Sequence, residues 1–244
     1  MTAPMQISVQ LYTVREAMER DVAETLHRIA GLGYTNVEPY GILDILDELV
    51  SGLAVNNLKA PSVHAPLLSG DQATLFSAAE KLGAQIVIDP FVGQENWTSL
   101  EGIREIAGGL NAAARAGAKR GLTVGYHNHD WELSIKIDGR HALEVLVDYL
   151  DDQVILEIDT YWAIVGGANV PGLLARLGNR VQLVHLKDGD GSPDTKQQTA
   201  LGDGSVDLPA VLEAARNVRY GVVELDDTKG DIFDALAASL RYLG

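Results

Sequence analysis

The chain lacks cysteine entirely, although it is 244 residues long. Disulfide bonds, thiolate zinc sites and cysteine nucleophiles are therefore excluded together. Histidine, aspartate and glutamate remain as the strong candidate metal ligands, and the sequence has six histidines. Any metal site in this protein must consequently be built from imidazole and carboxylate groups.

Long apolar runs are missing as well, and none approaches the roughly 18 residues that a membrane span requires. The N-terminal segment MTAPMQISVQ lacks the basic region and the apolar stretch that mark a secretory signal peptide. We therefore expect a cytoplasmic protein that has no membrane partner.

Positive charge is scarce, because 19 lysines and arginines face 34 aspartates and glutamates, for a formal net charge of −15. The basic residues are scattered along the chain, so no cluster opposes the repulsion between this acidic protein and phosphate groups. Nucleic acid is therefore not expected as a partner.

The sequence does contain a regular alternation of short β-branched runs with longer segments of helical periodicity. Such alternation predicts parallel strand pairing, and eight strand–helix units within about 250 residues match a closed barrel better than an open sheet. We therefore predict an α/β fold, a (β/α)₈ TIM barrel that forms a single domain over residues 1–244. The predicted strands lie in ISVQLYTV, TNVEPYG, APSVHAP, AQIVIDP, LTVGYHNH, VILEIDTYW, VQLVHLKDG and YGVVELDD.

One connection stands out by its length. The segment 189–206 is rich in Gly, Asp, Ser and Thr and is much longer than an ordinary loop between a strand and a helix. Long loops of this kind often carry function, so we predict a mobile loop at the active site.

Polar residues arrive together at the last positions of the predicted strands. In a TIM barrel, the carboxyl ends of the strands form the rim where catalytic groups converge from distant parts of the chain. The pattern therefore predicts a single site at this rim. Its candidate residues are Gln10, Glu38, His64, Asp89, His127, His129, Glu157, Asp159, His185, Lys187, Glu224 and Asp226.

Three of these residues suit a metal ion. Asp159, His185 and Glu224 end the sixth, seventh and eighth predicted strands, so their side chains can approach one point in the barrel mouth. Mixed carboxylate and imidazole ligands are typical of Mn²⁺, Mg²⁺, Co²⁺ or Zn²⁺. We predict these three residues as metal ligands.

The stretch VGYHNHDWEL supplies the remaining candidates. His127 and His129 point to the same side of a strand, because side chains alternate with a period of two. Either histidine can be the fourth ligand, which leaves the other as a general base or hydrogen-bond donor, and Glu132 competes for the same roles. We assign His129 to the metal, with His127 and Glu132 as candidate bases.

Further strand-end residues are candidates for contact with a substrate. Lys187 shares a face with His185 and is predicted to stabilise an enolate oxygen or bind an anionic group. Trp162 offers an aromatic wall for a sugar ring. Glu38 and His64, at the second and third strand ends, are predicted to bind substrate.

The motifs VEPYG, SVHAP, YHNHDWE, EIDTYW, VHLKDG, LGDGSVD and VELDD occur in that order over essentially the whole chain. As a set they resemble the sugar phosphate isomerase/epimerase superfamily of xylose isomerase-like barrels. The resemblance implies a divalent metal held by groups of strands five to eight, and Asp159, His185 and Glu224 match this ligand pattern. Small members of the superfamily are often dimers or tetramers, so a homo-oligomer is compatible with this sequence.

The fifth strand departs from the superfamily's usual pattern. Ketose epimerases and related isomerases usually carry a glutamate there as both ligand and acid/base group, whereas this sequence has HNH. It therefore looks more like the branch that contains inosose dehydratases and the 3-keto-glycoside lyases and hydratases. A mechanism based on two glutamates is not expected.

We accordingly predict a metal-dependent isomerase, epimerase or lyase that acts on a carbohydrate: a sugar, keto-sugar or cyclitol. The metal, with Mn²⁺ the first expectation and Mg²⁺, Co²⁺ or Zn²⁺ as alternatives, binds a carbonyl and a neighbouring hydroxyl oxygen. A base removes the α-proton, and the metal and Lys187 stabilise the enediolate. The alternatives are a non-catalytic sugar-binding barrel and an apurinic endonuclease-like hydrolase, which the acidic charge disfavours.

Overall fold

The computed structural model describes residues 4–244. Within that range, eight parallel strands alternate with helices and form one barrel, which confirms the predicted fold class. The barrel strands, numbered first to eighth along the chain, are Gln6–Gln10, Val37–Glu38, Ser62–His64, Ile86–Asp89, Thr123–His127, Ile155–Asp159, Val181–Leu186 and Tyr220–Val223.

The sheet order shows how the barrel closes. Hydrogen-bonded neighbours run in the order second, first, eighth, seventh, sixth, fifth, fourth, third. The two end strands of this series are then joined by backbone contacts, since Val37 N donates to Lys59 O at 2.8 Å and His64 N donates to Pro39 O at 2.8 Å. All eight carboxyl ends therefore surround one mouth.

The helices begin where polar residues can cap them. Asp21 accepts a hydrogen bond from the backbone N–H of Glu24 at 2.9 Å, and Ser99 accepts one from Gly102 at 3.1 Å. Within residues 4–244, none of the helices combines the length and apolar character needed to cross a bilayer. The helices span Arg15–Arg20, Val22–Leu32, Leu46–Val55, Gln72–Lys81, Leu100–Ala118, Trp131–Ser134, Ala142–Val147, Thr160–Val165, Val170–Leu177, Leu208–Ala214 and Ile232–Leu243.

Apolar packing occupies two layers. The larger core lies between the helices and the outside of the barrel, where apolar faces of helices meet buried strand residues. A smaller cluster fills the barrel interior, and it consists of Ile86, Ile88, Leu183, Tyr220 and Val222. This plug fills the lower part of the barrel interior, and the candidate residues of the rim lie above it, at the carboxyl ends of the strands.

The barrel interior is tightly packed around Gly125. A Cβ atom there would lie 2.5 Å from Cδ1 of Ile88 and 2.8 Å from Cγ1 of Ile155. We expect Gly125→Ala to lower the free energy of unfolding by about 1–3 kcal/mol, because the barrel cannot expand without strain. Chemical denaturation measures the change.

Gly108→Ala is the matched control. Gly108 lies inside the helix Leu100–Ala118, and apart from its chain neighbours and the backbone of that helix, no atom of residues 4–244 lies within 4 Å of a Cβ atom built there. This substitution should raise the free energy of unfolding by about 0.5–1 kcal/mol through helix propensity. Equal effects of the two substitutions would contradict the packing argument.

Candidate active site

Strand register brings the candidate residues of the rim together. His127 pairs with Glu157 between the fifth and sixth strands, and Asp159 pairs with His185 between the sixth and seventh. Side chains at paired positions on one face of a sheet lie close together. Two histidines and two carboxylates thus become immediate neighbours inside the barrel mouth.

Four residues form a cluster that could hold a metal ion. One ligand atom from each of His127, Asp159, His185 and Glu224 lies within 4.8 Å of the others, and all four residues are buried. Oδ2 of Asp159 is buried, and the ammonium group of Lys187 lies 3.0 Å from it, because a buried carboxylate needs a neighbouring cation. This donor set of two imidazoles and two carboxylates fits a divalent transition metal.

The histidine of this cluster that comes from the fifth strand is His127, and not His129 as assigned from the sequence. His127 is the last residue of the strand and turns into the barrel. His129 follows the strand, and its ring stacks on Trp131 with the centroids 4.4 Å apart. The strand ends before His129, so the alternation of side chains no longer aligns the two histidines.

Lys187 supplies a fixed positive charge beside the cluster. Its Nζ lies 3.0 Å from Oδ2 of Asp159, 2.8 Å from Oε2 of Glu224 and 2.8 Å from Oδ2 of Asp226. Burial alone would lower the pKa of Lys187, but these carboxylates outweigh it and raise that pKa well above its usual value. The ammonium group therefore stays charged.

The two histidines of the cluster differ in protonation. Burial, together with the nearby charge of His185, holds the pKa of His127 well below its usual value, so this ring is neutral. Burial would also lower the pKa of His185, but Glu157 and Glu224 raise it well above the ordinary value. Without a metal, His185 is therefore the imidazolium that balances the carboxylates.

A second group of buried residues lies one layer deeper. Nε2 of His64 lies 2.6 Å from Oε2 of Glu157 and 3.1 Å from Oε1 of Glu38. Glu38 also accepts hydrogen bonds from Gln10 and Ser62. Glu38 thus contacts residues beneath the cavity. It is not among the described residues that line the cavity, so the structure does not place it in the substrate contact that the sequence predicted.

Glu132 does not reach the cavity either. It lies in the short helix Trp131–Ser134, which the sequence did not indicate, and its side chain is fully buried. Its carboxylate accepts hydrogen bonds from the hydroxyl group of Tyr126 at 2.7 Å and from the backbone N–H of His129 at 2.9 Å. Both oxygens are therefore occupied by structural contacts, which disfavours Glu132 as a base.

A cavity of about 450 Å³ opens above this four-residue cluster. Its volume falls within the range that is typical of small-molecule sites. The predicted residues His64, Trp162 and Lys187 contribute to its wall. The full lining consists of Tyr12, Tyr40, Gly41, His64, Pro66, Pro90, Phe91, His127, His129, Trp162, Lys187, Glu224 and Asp226.

Three aromatic residues of this lining were not predicted from the sequence. Tyr12, Tyr40 and Phe91 each follow a polar strand-end residue by two positions, after Gln10, Glu38 and Asp89. Tyr12 and Tyr40 pack edge to face, with their ring centroids 5.2 Å apart. An aromatic residue two positions beyond a polar strand end was the signal that could have identified them.

A family model described as a xylose isomerase-like TIM barrel matches residues 71–243. The chain belongs to this family. The matched region includes the ends of the fourth to eighth strands and therefore all four residues of the cluster that could hold a metal.

Relatives of this xylose isomerase-like barrel include sugar-modifying enzymes. An inosose dehydratase from Clostridium beijerinckii is 27% identical over 146 residues, which cover 53% of this chain and 46% of that protein. The match thus spans about half of the curated relative. A sugar phosphate isomerase/epimerase from Parabacteroides distasonis has a TM-score of 0.80 at 21% identity, covering 99% of this chain and 94% of that chain.

A second solved structure bears on the metal. The protein IOLI, determined with a bound zinc atom, has a TM-score of 0.70 at 16% identity, covering 98% of this chain and 96% of that chain. At such identities the two solved structures establish the shared fold. Metal binding by IOLI is a property of that protein.

The long loop of this family member is anchored beside the site. The carboxylate of Asp188, which is 1% exposed, accepts hydrogen bonds from the backbone N–H groups of Gly189, Gly202, Gly204 and Val206 at 2.8–3.1 Å. The single carboxylate of Asp188 thus binds the backbone at both ends of the segment 189–206. These hydrogen bonds restrain the segment that the sequence predicted to be a mobile loop.

Removing the anchor should loosen the loop. We expect Asp188→Ala to lower the free energy of unfolding by roughly 2–4 kcal/mol, because several backbone N–H groups lose a charged acceptor. Hydrogen exchange of residues 189–206 should also accelerate. Chemical denaturation and exchange mass spectrometry measure the two effects.

Asp190→Ala is the control on the same loop. Asp190 is exposed, and its side chain accepts a hydrogen bond from the backbone N–H of Ser192 at 2.9 Å. Its loss should change the free energy of unfolding by less than about 0.5 kcal/mol. Slow exchange in the Asp188→Ala protein would show that other contacts order the loop.

Proposed function

We propose that this protein is a divalent-metal-dependent isomerase, epimerase or lyase that acts on a sugar, keto-sugar or cyclitol. The observation that carries the proposal is the convergence of His127, Asp159, His185 and Glu224 at the base of a cavity of about 450 Å³. These four residues would hold the metal. A divalent ion there would act as a Lewis acid on a carbonyl and adjacent hydroxyl oxygen, which acidifies the α-proton of the substrate.

His129 is the residue best suited to move that proton. Its ring lines the cavity, while its Nδ1 atom is buried on the side of Glu132, 3.8 Å from Oε1, which leaves Nε2 as the nitrogen for proton transfer. A neutral imidazole can take a proton from carbon and return it to the same or the neighbouring carbon, or deliver it to a leaving group. Return to the neighbouring carbon corresponds to isomerisation, and delivery to a leaving group corresponds to elimination. Epimerisation would also need a second acid that returns a proton to the opposite face of the same carbon. The proposal thus exchanges the roles assigned to His127 and His129 from the sequence.

Lys187 contributes electrostatics rather than proton transfer. Its buried ammonium group borders both the cluster and the cavity, and its pKa is held high by carboxylates. A fixed positive charge at this position would stabilise negative charge that develops on a substrate oxygen during proton removal. Trp162 forms the adjacent wall, where its ring can pack against the apolar face of a sugar.

Metal binding should depend on Asp159. We expect Asp159→Asn to weaken the binding of Mn²⁺ and Zn²⁺ at least 100-fold, since the variant loses one of the two carboxylate charges of the cluster. Chelator competition measures the affinity. Asp130→Asn, at the residue that follows His129 in the chain and lies outside the described cavity lining, is the control and should bind as the wild type does. Equal affinity in the wild type and Asp159→Asn would contradict the assignment of this ligand.

Catalysis should depend on His129. We expect the metal-loaded protein to exchange the α-proton of a substrate keto-sugar for deuterium in D₂O, and His129→Gln to slow the exchange by about 10²–10⁴-fold. Proton NMR on a panel of ketoses and keto-cyclitols measures the rate. Exchange that is abolished by chelation supports the metal mechanism.

His27→Gln is the control for this experiment, because His27 lies exposed on the helix Val22–Leu32. Its exchange rate should equal that of the wild type. Undiminished exchange in His129→Gln would remove His129 from the mechanism. Carbohydrates that bind without ever exchanging would instead favour a non-catalytic sugar-binding barrel.

A further inference from the structure

Glu157 occupies an unusual position beneath the proposed metal site. It precedes Asp159 by two residues in the sixth strand, so both side chains point into the barrel, with Glu157 one layer deeper. The side chain is fully buried. Burying a carboxylate costs free energy unless a cation or hydrogen-bond donor compensates its charge. The contacts of Glu157 should therefore reveal its role.

A single oxygen of Glu157 meets three imidazole rings. Oε2 lies 2.6 Å from Nε2 of His64, 3.1 Å from Nε2 of His185 and 3.2 Å from Nδ1 of His127. Oε1 has no hydrogen-bond partner. The carboxylate therefore acts through one atom, which accepts hydrogen bonds from the ring nitrogens that point down the barrel.

The opposite nitrogens of two rings face the proposed metal ligands. Nε2 of His127 lies 4.0 Å from Oδ2 of Asp159, and Nδ1 of His185 lies 2.5 Å from Oε2 of Glu224. A neutral imidazole carries one proton, so a proton kept on the deeper nitrogen leaves the other nitrogen free to bind a metal. The tautomer of each ring thus decides whether it can be a ligand.

Glu38 reinforces the arrangement at His185. Its Oε1 lies 2.9 Å from Nε2 of His185, and Gln10 donates a hydrogen bond to the same oxygen at 2.9 Å. The second and sixth strands therefore hold the same ring nitrogen from two sides. Glu157 differs from Glu38 in that it contacts the rings of both His127 and His185.

We propose that Glu157 is a positioning residue that keeps protons on Nδ1 of His127 and Nε2 of His185, and so presents Nε2 of His127 and Nδ1 of His185 to the metal. This inference rests on the proposed metal site. Carboxylates that accept a hydrogen bond from a metal-binding histidine orient the ring, and their loss typically weakens metal binding by about 10- to 100-fold.

A direct ligand role for Glu157 is the competing explanation, because His64, His127, Glu157 and His185 also bring ligand atoms within 4.8 Å of one another. In that deeper group, Oε2 of Glu157 already lies at hydrogen-bond distance from all three rings. In the upper group, Nε2 of His127 lies 4.0 Å from Oδ2 of Asp159, which is beyond hydrogen-bond distance, and that oxygen is paired with the ammonium group of Lys187 instead. The geometry therefore favours an ion in the upper group and hydrogen bonds in the lower one.

The test compares Glu157→Gln with a matched variant, Glu132→Gln. Both residues are fully buried glutamates near the mouth, but Glu132 contacts Tyr126 and the backbone of His129. Zn²⁺ affinity is measured by chelator competition on the full chain. Long-range ¹H–¹⁵N NMR reads the tautomer of His127, and circular dichroism verifies folding.

We expect Glu157→Gln to bind Zn²⁺ about 10- to 100-fold more weakly than the wild type and to lose the uniform Nδ1–H form of His127. Glu132→Gln should keep both properties. If Glu157→Gln does not fold, the wild type in its metal-free form is measured instead: we expect the proton of His127 on Nδ1, next to Oε2 of Glu157, and a proton on Nε2 alone would contradict the positioning role.

Two results would overturn the inference. One is wild-type affinity with an unchanged tautomer in Glu157→Gln. The other is a loss as complete as that in Asp159→Asn, which would make Glu157 a ligand. If the wild type binds no Zn²⁺, Mn²⁺ or Co²⁺ at all, the proposed function fails instead, and the tautomer of His127 in the metal-free protein still tests the positioning role.

Discussion

Compensation of buried negative charge is the constraint on which this barrel mouth depends. Glu38, Glu157, Asp159 and Glu224 are at most 5% exposed, so each carboxylate needs a neighbouring cation or hydrogen-bond donor. Burial would raise the pKa of Glu157, but the imidazole rings around it lower that pKa to about 2. Lysine and histidine side chains supply the positive charge, and the proposed divalent ion would add to it.

This constraint explains why the site has two layers. The upper carboxylates border the cavity and pair with Lys187, whereas the lower ones meet only ring nitrogens and polar side chains. Histidine can link the layers because its two nitrogens point in opposite directions. A proton on one side and a metal on the other would satisfy both layers with the same ring.

The stretch HNHDWE shows how the fold divides roles among adjacent residues. His127 ends a strand and joins the cluster, His129 stacks on Trp131 at the cavity, and Glu132 turns back to Tyr126 through a short helix. From their spacing in the sequence, each of the three residues was a candidate for the roles of metal ligand and general base. The helix Trp131–Ser134 separates them, and the sequence carried too few residues of helical periodicity to predict it.

The barrel, its rim and three of the four residues in the cluster could be predicted from the sequence, because alternation of strands and helices brings the carboxyl ends of all strands to one mouth. The tertiary structure alone decided that His127 rather than His129 joins Asp159, His185 and Glu224, and that Glu157 lies beneath them. Those choices depend on where a strand ends and on the register between strands, which are set by packing across the whole barrel.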